Sequence, residues 1–360
     1  MDVRPSPSAR DAGVDVARGL AVLLMIQTHA YDGWVRPAEK ATLAYALTRV
    51  LGAIPAPLFL LLAGVGLALG EAAGLRAGRD PAALRARFVR RGVEVFAWGY
   101  GVSLAYAVID GSFALPVLLR ADILHAIGLS LVICAALLVG ARAAPERAAA
   151  IAVVATVAQP ILASWWEPHD LPVPVAALLG LFVDVTGYTR FPVLPLVALV
   201  ACGYVAGRVI ARTHPAPRVG AAALIAFALV ALGAKVLTGV AVTWLGGSLS
   251  RRHPAVALNV IDGSARALAV LGAGWAIAPW VARAREGSKA ALVRLGQGSL
   301  LAYAVHIPLC YGRLARPVAG TLDMLTATAG VVALSLATFA VVRARDAIRD
   351  RSRPRSTTRG

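Results

Sequence analysis

The sequence predicts an all-α integral membrane protein, a polytopic bundle of about ten transmembrane helices with both termini in the cytoplasm. Three observations favour this fold class: the composition, the spacing of apolar runs and the distribution of basic residues. Hydrophobic residues fill 59% of the 360 positions and charged residues only 15%, and the mean hydropathy is +0.72. Because a soluble domain carries roughly 25% charged residues, this composition excludes a soluble globular enzyme.

Ten apolar runs are long enough to cross a bilayer, whose hydrocarbon core of about 30 Å takes about 20 helical residues. The first run contains Gln27 and His29 and has no small-residue cleavage site, so we interpret it as a retained helix and not a secretory signal. The predicted spans are 14–34, 48–70, 88–108, 120–140, 147–166, 192–211, 219–246, 258–282, 298–315 and 320–342.

The basic residues predict the orientation of these spans. With the N-terminus inside, 25 of the 36 Lys and Arg residues lie in inner segments and 10 in outer ones, as expected because positively charged loops stay in the cytoplasm. This distribution explains the net charge of +17 without nucleic acid, for which the chain carries no binding signature. We predict a cytoplasmic segment at 1–13, a transmembrane domain at 14–342 and a basic cytoplasmic tail at 343–360.

The longest outer loop, 167–191, contains an apolar stretch at 173–185 that is too short to span. We expect a re-entrant or interfacial helix there, covering a site that opens outward. The three cysteines lie inside apolar runs and have neither a CxxC spacing nor a histidine at metal-ligand spacing, so we predict no disulfide and no metal site.

Two Asp/His pairs, each three residues apart, lie at the predicted outer ends of spans: His29 with Asp32, and Asp122 with His125. An ionisable group within a bilayer costs a few kcal/mol, so such groups face a cavity or the bundle interior. A carboxylate one turn from a histidine can orient the ring, as a general base requires. We predict that both pairs line one cavity. For His29 the alternative is an interfacial histidine that only bonds a backbone carbonyl.

The ninth span places Tyr303 and His306 on one helical face with Ser299. His306 precedes Pro308, where a helix tends to end or kink, and Ser299 and Tyr303 can satisfy its hydrogen bonds. We therefore expect His306 and Tyr303 to support the acceptor site, while His29 carries the chemistry.

Two further sets of polar residues within spans favour structural ion pairs. Asp262 and Arg266 are one turn apart and can pair with each other, and Glu94 can pair with Lys235 across helices.

Six segments form an ordered set of motifs along the chain: RGLAVLLMIQTHAYD at 18–32, 47–64, DILHAIG at 122–128, FPVLPLVALVACGYVAG at 191–207, HP at 253–254 and LGQGSLLAYAVHIPL at 295–309. In this order they resemble the heparan-α-glucosaminide N-acetyltransferase catalytic-domain family and its bacterial relatives. The chain departs from the family at one point, because Pro195 is followed here by leucine, where relatives have tryptophan.

The resemblance implies transfer of an acetyl group from cytoplasmic acetyl-CoA, across the bilayer, to an amine or hydroxyl of an extracytoplasmic sugar or glycan. It implies a bacterial inner membrane as the location and allows a homodimer as the assembly. It also carries the first-helix histidine of the family onto His29, with Asp32 beside it. Arg18, Arg90 and Arg91 are candidates on the donor side, since arginine binds phosphate well. The competing interpretation is a proton-coupled transporter or flippase that uses the Asp/His pairs as a relay.

Overall fold

The computed structural model describes residues 12–164, 171–185, 187–213, 252–282 and 288–351, together with part of 220–236. Within these residues every long element is an α-helix, which confirms the all-α class. The named helices are α1 Ala12–Trp34, α2 Leu43–Gly52, α3 Pro55–Arg76, α4 Pro81–Asp110, α5 Leu115–Leu118, α6 Ile123–Leu138, α7 Ala144–Ser164, α8 Val173–Gly180, α9 Val193–Thr213, α10 Arg252–Ala282, α11 Ser288–Gln297, α12 Ser299–Cys310 and α13 Met324–Arg351.

Five helical segments in the described part of the chain are long and apolar enough to cross a membrane, so the protein is an integral membrane protein. The predicted total of ten spans and the orientation of the termini stay predictions. Helical residues at 220–230 fall within the predicted span 219–246, most of whose remainder lies outside the described residues. The five segments are Leu43–Arg76, Pro81–Asp110, Val193–Arg212, Asn259–Val281 and Met324–Arg349.

Two predicted spans were wrong in their boundaries. The predicted helix 48–70 is broken, because α2 ends at Gly52 and α3 begins at Pro55; proline lacks the N–H of a continuing helix and restricts the residue before it. The predicted span 298–315 ends at Cys310, before the left-handed backbone of Gly312, and Pro308 lies inside its helix. With 12 residues, α12 is about 18 Å long, shorter than the bilayer core.

Backbone contacts divide the chain into two units. The large unit comprises Met1–Val14 and Ala53–Ile277, and the small unit comprises Asp15–Gly52 and Ala278–Gly360. The large unit therefore holds α3 to α9 and most of α10. The small unit holds most of α1 together with α2, α11, α12 and α13.

In the large unit, α3 packs against α9 and α4 against α6. The first of these contacts requires glycine: a Cβ on Gly64 would collide with the carbonyl of Val200, and one on Gly203 would collide with that of Leu61. Close backbone approach at such positions strengthens helix packing within a bilayer, where apolar side chains gain nothing by leaving lipid.

The predicted non-spanning segment 173–185 forms the eight-residue helix α8 followed by a turn. Ala176, Val183 and Val185 form a small apolar core there. The hydroxyl of Thr189 donates to Gly180 O at 2.7 Å. On either side of Thr189, Tyr188 O accepts from the backbone N–H of Ala121, and the backbone N–H of Arg190 donates to Ala121 O. The segment is thereby attached to the start of α6, and its depth in the membrane stays a prediction.

In the small unit, α1 runs closely along α11 and α12. A Cβ on Gly296 would collide with the carbonyl of Asp15 near one end of the contact, and one on Gly33 would collide with that of Cys310 near the other. The indole N–H of Trp34 donates to Leu309 O at 3.1 Å. These contacts bring the C-terminal half of α1 against α12.

Candidate functional site

The small unit brings His29 of α1 and His306 of α12 into direct contact. His29 Nδ1 lies 2.8 Å from His306 Nε2, and the two ring planes are within 3° of parallel, with centroids 5.1 Å apart. His306 is fully buried at 0% exposure, whereas His29 is half-buried. The two histidines therefore form one hydrogen-bonded pair with a buried and an accessible member.

The backbone determines which nitrogen of each ring carries the proton. His306 Nδ1 lies 2.7 Å from the carbonyl oxygen of Ala302, one turn earlier in α12. Because that oxygen can only accept, His306 Nδ1 carries the hydrogen, and in the neutral ring His306 Nε2 is an acceptor. His29 Nδ1 must then donate to it, which leaves His29 Nε2 as the unprotonated, basic nitrogen of its ring. These bonds replace the ones predicted for His306 with Ser299 and Tyr303.

Asp32, predicted to orient His29, lies at the exposed edge of this pair. Its carboxylate accepts a hydrogen bond from Tyr311 Oη at 2.9 Å and lies 3.9 Å from a guanidinium nitrogen of Arg49. The ring of Tyr311 packs edge-on against His29, with centroids 5.7 Å apart. The structure thus connects Asp32 with His29 through Tyr311, a residue that the sequence analysis did not single out.

Tyr303 also lies beside the pair, as its helical spacing predicted. It is buried, and its ring contacts His306 edge-on with centroids 5.9 Å apart. The pair is therefore flanked by aromatic rings on both α12 and the turn that follows it.

Arg18 lies at the other end of α1 and pairs with Asp15 at 3.1 Å. Asp15 is only 4% exposed and also accepts a hydrogen bond from the amide of Gln297 at 2.9 Å. A buried carboxylate is stable when it is paired and hydrogen-bonded, so Arg18 and Gln297 secure the start of α1 against the α11–α12 junction. A donor-side role for Arg18 stays a prediction.

In the large unit, Asp122 and His125 form a reciprocal cap at the start of α6. The Asp122 carboxylate accepts from the backbone N–H of Ile123 at 2.7 Å, and the backbone N–H of Asp122 donates to His125 Nδ1 at 3.1 Å. Such capping boxes satisfy N–H groups that have no partner inside the helix. The sequence analysis missed this role of the pair. The predicted convergence of both pairs on one cavity concerns two separate units and stays a prediction.

The His125 ring is enclosed by α4. Tyr100 and Phe96 contact it edge-on with centroids 4.2 and 5.3 Å away, and a Cβ added to Gly99 would lie 2.8 Å from the ring. Because Nδ1 accepts from Asp122, Nε2 carries the hydrogen. In the described structure that buried nitrogen has no hydrogen-bond partner.

The two arginines proposed for the donor side pair on their own helix. Arg90 lies 3.7 Å and Arg91 3.3 Å from the carboxylate of Glu94. These are i,i+4 and i,i+3 pairs along one helix. The predicted pairing of Glu94 with Lys235 stays a prediction, because Lys235 lies outside the described residues. The predicted pair of Arg266 with Asp262 is confirmed, at 3.0 Å.

Sequence reasoning also missed a buried carboxylate in the large unit. Glu71 accepts from Tyr204 Oη at 2.5 Å and from the backbone N–H of Gly140 at 2.7 Å, and Arg208 donates to the same phenol oxygen at 3.3 Å. The sequence signal was a lone Glu at the end of an apolar run. The network holds the α6–α7 turn to α3 and α9.

A family model described as "Heparan-alpha-glucosaminide N-acetyltransferase, catalytic" matches residues 10–245 of the chain. The match covers about two thirds of the sequence and includes His29, Asp32, Asp122 and His125. His306 and Tyr303 lie beyond its end. Comparison with curated proteins gives no significant match.

Proposed function

The chain belongs to the heparan-α-glucosaminide N-acetyltransferase catalytic family, and from this premise we propose that His29 is the general base of acetyl transfer from acetyl-CoA. The family is one of membrane acetyltransferases that use acetyl-CoA as donor. The acceptor we propose is an amine or hydroxyl of an extracytoplasmic sugar or glycan.

One observation carries this proposal: the chain of bonds from Ala302 O through His306 to His29. A general base must present an unprotonated nitrogen in a defined orientation. The bonds to His306 direct the Nδ1 proton of His29 inward and make Nε2 the basic nitrogen. The half-buried position of His29 is also consistent with access for an acceptor.

The chemistry needs one proton to move at His29 Nε2. The acceptor nitrogen or oxygen attacks the acetyl carbonyl carbon and loses its proton to His29 Nε2. The carbon–sulfur bond then breaks, and the sulfur of CoA leaves with the electron pair. It is protonated in turn, which returns the base to its neutral form. A positive charge forms on the His29 ring during transfer, and the Asp32 carboxylate behind Tyr311 favours it electrostatically.

We assign the supporting positions as follows. His306 is a positioning residue, because it acts on the reaction only through His29, and Tyr303 packs beside it. We propose acceptor-side roles for Asp122 and His125, which also cap α6. We propose donor-side roles for the three arginines, which also form the ion pairs described above: Arg18, Arg90 and Arg91. The proposed setting is the inner membrane of a bacterium, with residues 1–13 and 343–360 in the cytoplasm.

The test is a sided transfer assay. Purified protein is reconstituted into proteoliposomes, acetyl-CoA labelled in its acetyl group is enclosed, and an amino sugar is supplied outside. We expect labelled N-acetyl sugar outside in the wild type and at least about 100-fold less of it with His29→Ala. Uptake of the amino sugar without acetylation would indicate a transporter and contradict the proposal.

A further inference from the structure

An open groove in the small unit lies beside the histidine pair. It has a volume of about 660 Å³, and Trp34, Leu309, Val318 and Leu322 line one side of it. The other side is α13, where Leu334 and mostly small residues between Thr326 and Ala337 form the floor of the groove. Ala337 follows Thr326 by eleven residues, so the groove extends along about 16 Å of α13.

The groove is apolar and belongs to a membrane-spanning helix. Two lining side chains of the groove carry a polar group: the hydroxyl of Thr326 and the indole N–H of Trp34, which donates to Leu309 O. The floor lies within the apolar segment Met324–Arg349. A groove of this kind in a bilayer takes hydrocarbon, because no water or polar ligand is stable there without hydrogen-bond partners.

The groove and the proposed catalytic pair share two helices. Trp34 follows His29 by five residues in α1, and Leu309 follows His306 by three residues in α12, which places the groove about one turn beyond the histidines. A hydrocarbon chain in the groove would therefore hold a head group near the outer end of the pair.

Basic residues surround the predicted outer end of the groove. Arg313 and Arg316 are exposed in the turn that leads to Val318, and the backbone N–H of Arg36 donates to Leu322 O at 2.9 Å. Glu39 accepts a hydrogen bond from Arg36 and thereby raises the pKa of its guanidinium. The outer segments of this unit, 35–49 and 311–323, carry five basic residues against two acidic ones.

Two carboxylates at the same end of the groove reduce this positive charge: Asp323, which the count above includes, and Asp32, which it does not. Asp32 interacts with Tyr311 and Arg49, and Asp323 caps α13 through the backbone N–H of Thr326, a bond that lowers the pKa of Asp323. Even with Asp32 included, basic residues exceed acidic ones by two. Because positive charge on the outer side runs against the cytoplasmic bias of such proteins, this excess indicates a phosphate-bearing partner.

We propose that the acceptor is a lipid-linked sugar, whose hydrocarbon chain occupies this groove and whose phosphate lies against Arg313 and Arg316. The inference rests on the proposed function, since it identifies the acceptor of the same site. The sugar then lies next to His29 without having to be captured from solution.

Binding is tested first by photolabelling in nanodiscs. The probe is a polyprenyl phosphate with a diazirine in its chain, and the protein is used both as wild type and as His29→Ala, so that labelling does not depend on catalysis. We expect label on residues 322–337, removed by excess undecaprenyl phosphate. Displacement by phosphatidylglycerol at the same concentration would show bulk lipid in the groove and overturn the proposal, as would cross-links showing a second copy there.

A matched pair of variants tests whether the photolabelling probe binds in the groove. Ala333→Trp fills the groove, whereas Val332→Trp adds the same side chain about 100° round the helix, at an exposed position that does not line it. At limiting probe we expect Ala333→Trp to reduce labelling about tenfold, which corresponds to about 1.4 kcal/mol, and Val332→Trp to leave it unchanged. Equal labelling of the two variants would contradict the inference.

Kinetics separates this inference from the proposed function. The acceptors are an amino sugar phosphate and the same sugar phosphate attached to a polyprenyl chain. We expect a KM at least about tenfold lower for the lipid-linked acceptor. Ala333→Trp should raise that KM alone, whereas Arg316→Gln should raise the KM of both acceptors, because both carry the phosphate. Equal KM values would overturn the lipid-linked acceptor while acetyl transfer stands. Failure to acetylate either acceptor, with labelling of the groove retained, would contradict the proposed function instead.

Discussion

His29 with Asp32 and His125 with Asp122 are similar pairs in the sequence and differ in the structure. In both, an aspartate and a histidine lie three residues apart in or beside a predicted span. The first histidine bonds a second histidine. The second completes a helix cap and is enclosed by aromatic rings and a glycine. Spacing within one helix therefore identifies a polar position in the membrane, and the neighbouring helix decides its chemistry.

The largest expected effect is at His29. His29→Ala should reduce kcat/KM for acetyl transfer by about 10²- to 10⁴-fold, the usual cost of removing a general base. Transfer of labelled acetyl groups to an amino sugar measures it, and size-exclusion chromatography checks that the variant folds. Near-normal transfer by a well-folded variant would remove the distinction between the two pairs.

His306→Ala should have a smaller effect on the reaction. It leaves the Nδ1 proton of His29 without its acceptor, and a lost partner of this kind costs about 1–3 kcal/mol, or about 5- to 150-fold. Measurable turnover should remain, because His29 Nε2 is still present. If His306→Ala had no activity while His29→Ala retained it, the two roles would be reversed.

At the other pair the effects should be on stability. Gly99→Ala places a methyl group 2.8 Å from the His125 ring, so α4 or the ring must move, and overpacking of this kind costs about 1–3 kcal/mol. We expect a lower apparent melting temperature in nanodiscs. Gly101→Ala is the matched control, since a Cβ there meets one atom, of Trp98, at 3.9 Å. Equal melting temperatures would show that His125 is loosely enclosed.

The smallest expected effect is at Asp122. Asp122→Ala removes the acceptor at the start of α6 and should cost about 1 kcal/mol of stability. Asp122→Asn keeps a side-chain oxygen in the same place and should restore most of it. A large loss of acetyl transfer in Asp122→Asn, with stability retained, would show that the carboxylate charge acts at the proposed acceptor site in addition to capping α6.

The sequence could predict most of the helices but not the contact between the two histidines of the candidate site. Apolar runs predicted where the helices lie, and the polar residues between Arg18 and Asp32 identified α1 as a helix of the candidate site. Both signals can be read from neighbouring residues in the sequence. The contact of His29 with His306 joins residues 277 positions apart, and no spacing rule reaches that far. Ala302 acts through its backbone carbonyl, so its side chain carries no signal. The helix end at Gly52 was missed because apolar residues continue through the break. The helix end at Cys310 was missed because a spanning helix was expected to reach about bilayer length, although Gly312 and Arg313 follow it.

The central claim, that His29 is the base and His306 positions it, is tested most directly by placing glutamine at each position. Gln at 306 retains an oxygen that can accept the Nδ1 proton of His29, whereas Gln at 29 offers no basic nitrogen. We predict that His306→Gln stays within about tenfold of the wild-type kcat/KM, the cost of about one hydrogen bond, and that His29→Gln loses at least about 100-fold. Equal losses in the two variants, or the larger loss in His306→Gln, would contradict this account.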